Sequence, residues 1–133
     1  MHIELNSADT TELIKLKGIG SKLSQNIVTY RKLLGGFVHL KQLTEVYGIS
    51  DETLTRITPS LHINKSKIKQ INLNEATLYE LNAHPYLKGE IARALVDFRK
   101  AHNYQIVDLT QIKEIALINE EKYRKIVPYL RIQ

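Results

Sequence analysis

A chain of 133 residues with no cysteine can have no disulfide framework, thiolate metal site or cysteine nucleophile. Its 43% hydrophobic and 25% charged residues are the balance of a folded chain rather than a disordered one. The net charge of +5 admits a polyanionic partner but draws no broad basic face. Residues 1–63 hold 7 Lys and Arg against 6 Asp and Glu, and residues 71–133 hold 9 against 8.

In chain order, Asp9 and Glu12 have the spacing of a capping box and open a first helix that ends near Leu16. A longer helix is expected from about Ser21 to Leu34, with Leu23, Ile27, Tyr30 and Leu34 at helical spacing, and Gly35-Gly36 stops it. Residues 40–46 read as a third, short helix. Ser50 caps a fourth that carries Leu54 and Ile57, and Pro59 follows its end. Residues 64–70, with Lys65, Lys67 and Lys69, read as a polar connector.

The chain then repeats itself. Ile3-Glu4-Leu5-Asn6-Ser7-Ala8 falls on Ile71-Asn72-Leu73-Asn74-Glu75-Ala76 at a shift of 68, and Arg31-Lys32 falls on Arg99-Lys100. One residue is inserted near Asn103-Tyr104-Gln105. Beyond it a shift of 69 sets Leu40 on Leu109, Gln42 on Gln111, Ile49 on Ile118 and Pro59 on Pro128. Thr77 with Glu80 repeats the first capping box, and Asp108 with Gln111 opens the third helix of the second copy. The expected fold is all-α: two tandem four-helix modules, residues 1–63 and 71–133, joined by 64–70. Helices this short must bury their apolar faces together. No stretch alternates with period two, so no sheet is expected.

The chemistry lies in the turns. Between the first two helices, Leu16-Lys17-Gly18-Ile19-Gly20-Ser21-Lys22 sets two glycines around one apolar residue, so that the chain turns sharply while Ile19 plugs inward. The turn feeds a helix N-terminus, whose free N–H groups and positive dipole end suit an anion, and the missing Cβ atoms admit a phosphate. Lys22 adds a mobile charge. Val46-Tyr47-Gly48-Ile49-Ser50 is a weaker second version. The aligned segments of the second copy, His84-Pro85-Tyr86-Leu87-Lys88-Gly89 and Ile115-Ala116-Leu117-Ile118-Asn119, have lost the aligned glycines.

The pattern of residues 16–22, followed by Ile27 and Tyr30-Arg31, resembles the helix-hairpin-helix motif. Two such motifs with an opening Leu5-Asn6-x-Ala8 and a closing Pro59-x-Leu61 resemble the ComEA-type module of bacterial DNA uptake. The resemblance implies that each copy is a pair of helix-hairpin-helix motifs. It also implies that paired hairpins sit across the minor groove and bind phosphates of both strands without reading sequence. The residues it designates for DNA contact are Gly18, Ile19, Gly20, Ser21, Lys22, Gly48 and Ser50. In the second copy the fold is expected to persist and the phosphate cradle to be lost.

Plainer readings stand beside these. Gly18 and Gly20 suit a simple helix–helix turn, Gly48-Ile49-Ser50 suits simple capping, and Lys22 suits a solvated charge. Arg31 and Arg99 align across both copies, which suits a structural ion pair. Five histidines have no metal-like spacing, so no metal or cofactor is expected. Hairpin-containing glycosylases place a Schiff-base lysine where Lys22 stands, but residues 23–44 contain no acidic residue to serve as their aspartate. The expectation is a non-enzymatic binder of double-stranded DNA with no small-molecule substrate. The alternative is a protein-interaction scaffold that uses the second module to hold a protein partner in a secretion or DNA-uptake assembly. A complete chain implies a cytoplasmic protein, and a piece of an anchored one implies the cell envelope.

Overall fold

A computed structural model describes residues 1–133, which divide into two compact units, Met1–Ile68 and Lys69–Gln133. In the first, a two-residue strand β1 (Ile3–Glu4) precedes α1 (Thr10–Leu13), α2 (Ser21–Leu34), a 3-10 helix at Leu40–Glu45 and α3 (Asp51–Ile57). A second 3-10 turn at Thr58–Ser60 leads into β2 (Leu61–His62). The second unit repeats this order with β3 (Ile71–Asn72), α4 (Leu78–Asn82), α5 (Glu90–Ala101), a 3-10 helix at Leu109–Glu114, α6 (Glu120–Ile126) and β4 (Leu130–Arg131).

The local chemistry follows the sequence closely at the helix starts. The Asp9 carboxylate accepts the Glu12 N–H at 2.9 Å, and Thr77 Oγ1 accepts that of Glu80 at 3.0 Å. Both boxes close reciprocally through the Glu side chain. The α-helix they open is shorter than expected. It ends at Leu13, and bonds from Lys15 N to the Glu12 carbonyl and from Leu16 N to that of Leu13 tighten the last turn toward the hairpin. Gly35 caps α2 at φ +95°. The aligned Asn103 and Tyr104 adopt the same left-handed region, at φ +56° and +60°.

Three expectations are corrected. The units are not purely α, because β1 pairs in parallel with β2 and β3 with β4, in the registers Ile3↔Leu61 and Ile71↔Leu130. Strands of two residues cannot display an alternation, and the pairing arises where each unit brings its two ends together. The third helix of each copy is 3-10 rather than α, as short connecting helices often are. Arg31 forms no ion pair. Its Nη1 donates to the carbonyls of Leu5 at 2.8 Å and Ala8 at 2.7 Å, and Arg99 treats Leu73 and Ala76 likewise. Burial lowers the Arg31 pKa, and Glu4 and Asp9 oppose that only through space.

Each unit closes around its own core. Leu5, Leu13, Ile27, Leu34, Phe37 and Leu43 are fully buried in the first, and Leu73, Leu81, Leu87, Leu95 and Ile112 in the second. Asn6 stitches the opening segment to Phe37 through two side-chain bonds of 2.9 and 2.7 Å, and Asn74 does the same to Ile106. The lysine-rich stretch 64–70 is partly structured. Asn64 N donates to Glu4 Oε2 at 2.8 Å, Lys65–Lys67 is a 3-10 turn, and Ile68 lies against Gly36.

Candidate nucleic-acid interface

The first hairpin is a four-residue turn closed by Ile19 N donating to the Leu16 carbonyl at 3.0 Å. Gly18 stands third at φ +92°, the mark of a type II turn, which requires a glycine there. The Ile19 side chain is buried and its N–H is spent on Leu16, so its role is to seat the turn. Gly20 is the N-cap of α2 and offers no side-chain cap, and no acidic residue stands in the first turn. The N–H groups of Gly20, Ser21 and Lys22 have no intramolecular acceptor. Gly18, Gly20, Ser21 and Lys22 are all exposed, so those donors and the dipole of a 14-residue helix face outward.

Gly20 has an ordinary φ of −97° and nothing within 4 Å of the place a Cβ would occupy. The fold therefore does not require glycine here. Close approach from outside would.

The second hairpin is the same turn thirty residues on, closed by Ile49 N and the Val46 carbonyl at 3.1 Å with Gly48 at φ +95°. Here the left-handed backbone itself favours glycine, and a Cβ would also displace the end of the Leu23 side chain, standing 2.6 Å from its Cδ2. Ser50 Oγ accepts the Thr53 N–H at 3.1 Å, and Asp51 and Glu52 occupy the first turn of α3. The dipole end is thus already met by carboxylates. Gly48 and Ser50 shape and cap this turn; its electrostatics disfavour a phosphate.

The two hairpins are held together by their following helices. Asn26, sixth residue of α2, donates Nδ2 to the Tyr47 carbonyl at 3.1 Å. Arg56, sixth residue of α3, lies over the first hairpin, with Nη1 3.2 Å from the Cβ position of Gly18. Arg56 also meets Glu52 at 3.5 Å. It is a cation at the cradle that the sequence reading passed over. The available signal was its alignment with Lys125.

In the second unit the equivalent hairpin is built differently. Tyr86 takes the place of Gly18, and Lys125, aligned with Arg56, sets its Nζ 4.3 Å from the centre of the Tyr86 ring. Buried His84 accepts the Tyr86 N–H on Nδ1 at 3.0 Å, and its carbonyl takes those of Leu87 and Lys88. Gly89 N donates to Asn82 Oδ1 at 2.6 Å. Pro85 has no N–H, so no hairpin donor from 85 to 89 is left for an anion. Leu117, in place of Gly48, keeps the closing bond of Ile118 N to Ile115 at 2.9 Å without a positive φ. At the start of α6, Lys113 at 3.3 Å and Arg124 at 3.2 Å hold the Glu120 carboxyl below its usual pKa. No group of three His, Asp or Glu converges where it could hold a metal ion, and no helix is long and apolar enough to cross a membrane.

Among known proteins, residues 1–62 and 66–131 each match the family model described as helix-hairpin-helix motif. The endonuclease/exonuclease/phosphatase family domain-containing protein 1 of Danio rerio is 29% identical over 133 residues, covering 85% of this chain and 24% of its own length. Its Homo sapiens counterpart is 23% identical over 129 residues, covering 75% and 23%. An uncharacterized protein of Haemophilus influenzae is 42% identical over 55 residues, covering 41% of this chain and 49% of its own. The chain thus spans about a quarter of the length of these vertebrate relatives. No solved structure matches it.

Proposed function

The chain belongs to the helix-hairpin-helix motif family, and on that footing we propose that it binds double-stranded DNA without sequence preference through the first hairpin of its first unit. One observation carries the reading: the outward N–H groups of Gly20, Ser21 and Lys22 are unpaired, on a helix end with no acidic residue. Backbone donors read phosphate and not base. Lys17, Lys22 and Arg56, all exposed, supply the charge. The likeness to DNA-uptake receptors adds the minor groove as the docking surface and DNA capture as the role.

Catalysis is outside this reading. Lys22 is exposed, and no acidic residue from 23 to 44 accompanies it. A protein-interaction scaffold is the second reading, favoured by the closed cradle of the second unit and by its exposed Tyr79 and Val107.

Anisotropy titration of unrelated duplexes of equal length tests the proposal. Competition should show no preference beyond roughly tenfold, or about 1.4 kcal/mol. Three cations at the cradle imply that log K falls with log salt at a slope of about −3. A slope near −10 would assign binding to some wider surface. An absence of binding to any duplex would put the scaffold reading first.

A further inference from the structure

Tyr47 is the most exposed of the large hydrophobic side chains, at 89%. It stands second in the turn of the second hairpin, where the first hairpin has Lys17. No other ring contacts it and no side-chain bond engages its phenol. Its backbone, in contrast, is anchored. Asn26 Nδ2 holds its carbonyl at 3.1 Å, and the neighbouring Gly48 fits against Leu23 so closely that a Cβ would stand 2.6 Å away. Both anchors belong to α2, the helix whose N-terminus is the open anion cradle. The Tyr47 backbone is therefore tied to the first two turns of α2, beside that cradle, and its ring is free to turn toward a partner.

The second hairpin is itself unsuited to phosphate, with Ser50 capping Thr53 and with Asp51 and Glu52 at its helix start. A nucleobase face is neutral and escapes that repulsion, and aromatic rings are the usual platform for it. In an intact duplex such faces are covered by stacking, and they become available at an overhang, a gap or a frayed end.

We propose that Tyr47 stacks on an unpaired nucleobase of DNA whose backbone phosphate is held at Gly20–Lys22, so that the first unit prefers duplex–single-strand junctions to blunt duplex. This rests on the phosphate reading of the first hairpin. The two hairpins then divide the work, one gripping charge and the other a base face.

The test titrates the full chain, as wild type, Tyr47→Phe, Tyr47→Ala and Gly20→Asp, against three labelled probes of equal phosphate number: blunt duplex, duplex with an overhang, and duplex with a one-nucleotide gap. Wild type and Tyr47→Phe should favour the overhang and gap probes roughly tenfold over blunt duplex. Tyr47→Ala should bind all three alike, and 2-aminopurine in the overhang should be quenched by wild type but not by this variant. Equal binding of all probes by wild type, or a preference that survives in Tyr47→Ala, overturns the stacking proposal while leaving phosphate binding intact. Failure of wild type to bind any probe, or full binding by Gly20→Asp, overturns the phosphate reading and this proposal with it.

Discussion

At Gly48 the backbone has φ +95° and a Cβ would meet Leu23 at 2.6 Å, whereas at Gly20 φ is ordinary and the surrounding space is empty. Substitution should separate stability from binding at these two positions. Gly48→Ala should cost about 1–3 kcal/mol of unfolding free energy, from a left-handed backbone and a displaced Leu23, measured by chemical denaturation. Gly20→Asp should raise stability by about 0.5 kcal/mol, because the carboxylate supplies the missing N-cap and favours the dipole, and should weaken DNA binding at least roughly tenfold, about 1.4 kcal/mol, by occupying the phosphate position. Arg56→Gln should weaken binding to all duplexes alike and make the salt slope shallower by about 1. Glu52→Gln should strengthen binding by freeing Arg56 from its 3.5 Å partner. The turn at Gly18 and the helix start at Gly20 were legible in the sequence because turn chemistry is local. Arg56 was not, since it reaches Gly18 from another helix and only the fold brings the two together.

Among the elements, α2 is set apart by what its N-terminus lacks. α1 and α4 have capping boxes, α3 and α6 have side-chain caps with two acidic residues each, and α5 opens with Glu90. The capping boxes were readable because each is a four-residue pattern. The β1–β2 pair was not, since its register depends on contacts between positions 3 and 61 that no local window contains. Arg31 and Arg99 showed their alignment but not their partners, because a carbonyl acceptor leaves no trace in side-chain sequence. The same end-to-end closure makes the first unit sensitive to acid. Burial pushes the Glu4 pKa up, but N–H groups of Asn64 and Asn6 and the Ser7 hydroxyl outweigh it, and the net pKa lies below 4.5. A depressed folded-state pKa gives stability that is full above the unfolded value and lost as pH falls through the folded one. Thermal melts should thus show the first unit weakening below about pH 4.5. Glu4→Gln should flatten that dependence; an unchanged acid limb would remove Glu4 as its source.

For the whole molecule, duplication was plain from the 68- and 69-residue shifts, yet the two units differ in chemistry. The three lysines of 64–70 lie in a stretch whose Asn64 and Ile68 are tied to the first unit, so a fragment meant to preserve that unit should end at residue 68. A 1–68 fragment should bind duplex, and a 69–133 fragment far more weakly, because the Tyr86 ring, with Lys125 over it, stands where the first unit has Gly18, and its hairpin N–H groups are consumed internally. Lys88→Glu in the full chain should change little. The central claim is that the unpaired N–H groups at Gly20–Lys22 are the DNA-binding site, and duplex titration of full-length wild type beside full-length Gly20→Asp, with thermal melts of both, tests it most directly. Full-length Gly20→Asp should lose at least roughly tenfold in affinity, about 1.4 kcal/mol, while melting at the same temperature or higher. Undiminished binding by a folded Gly20→Asp would contradict it.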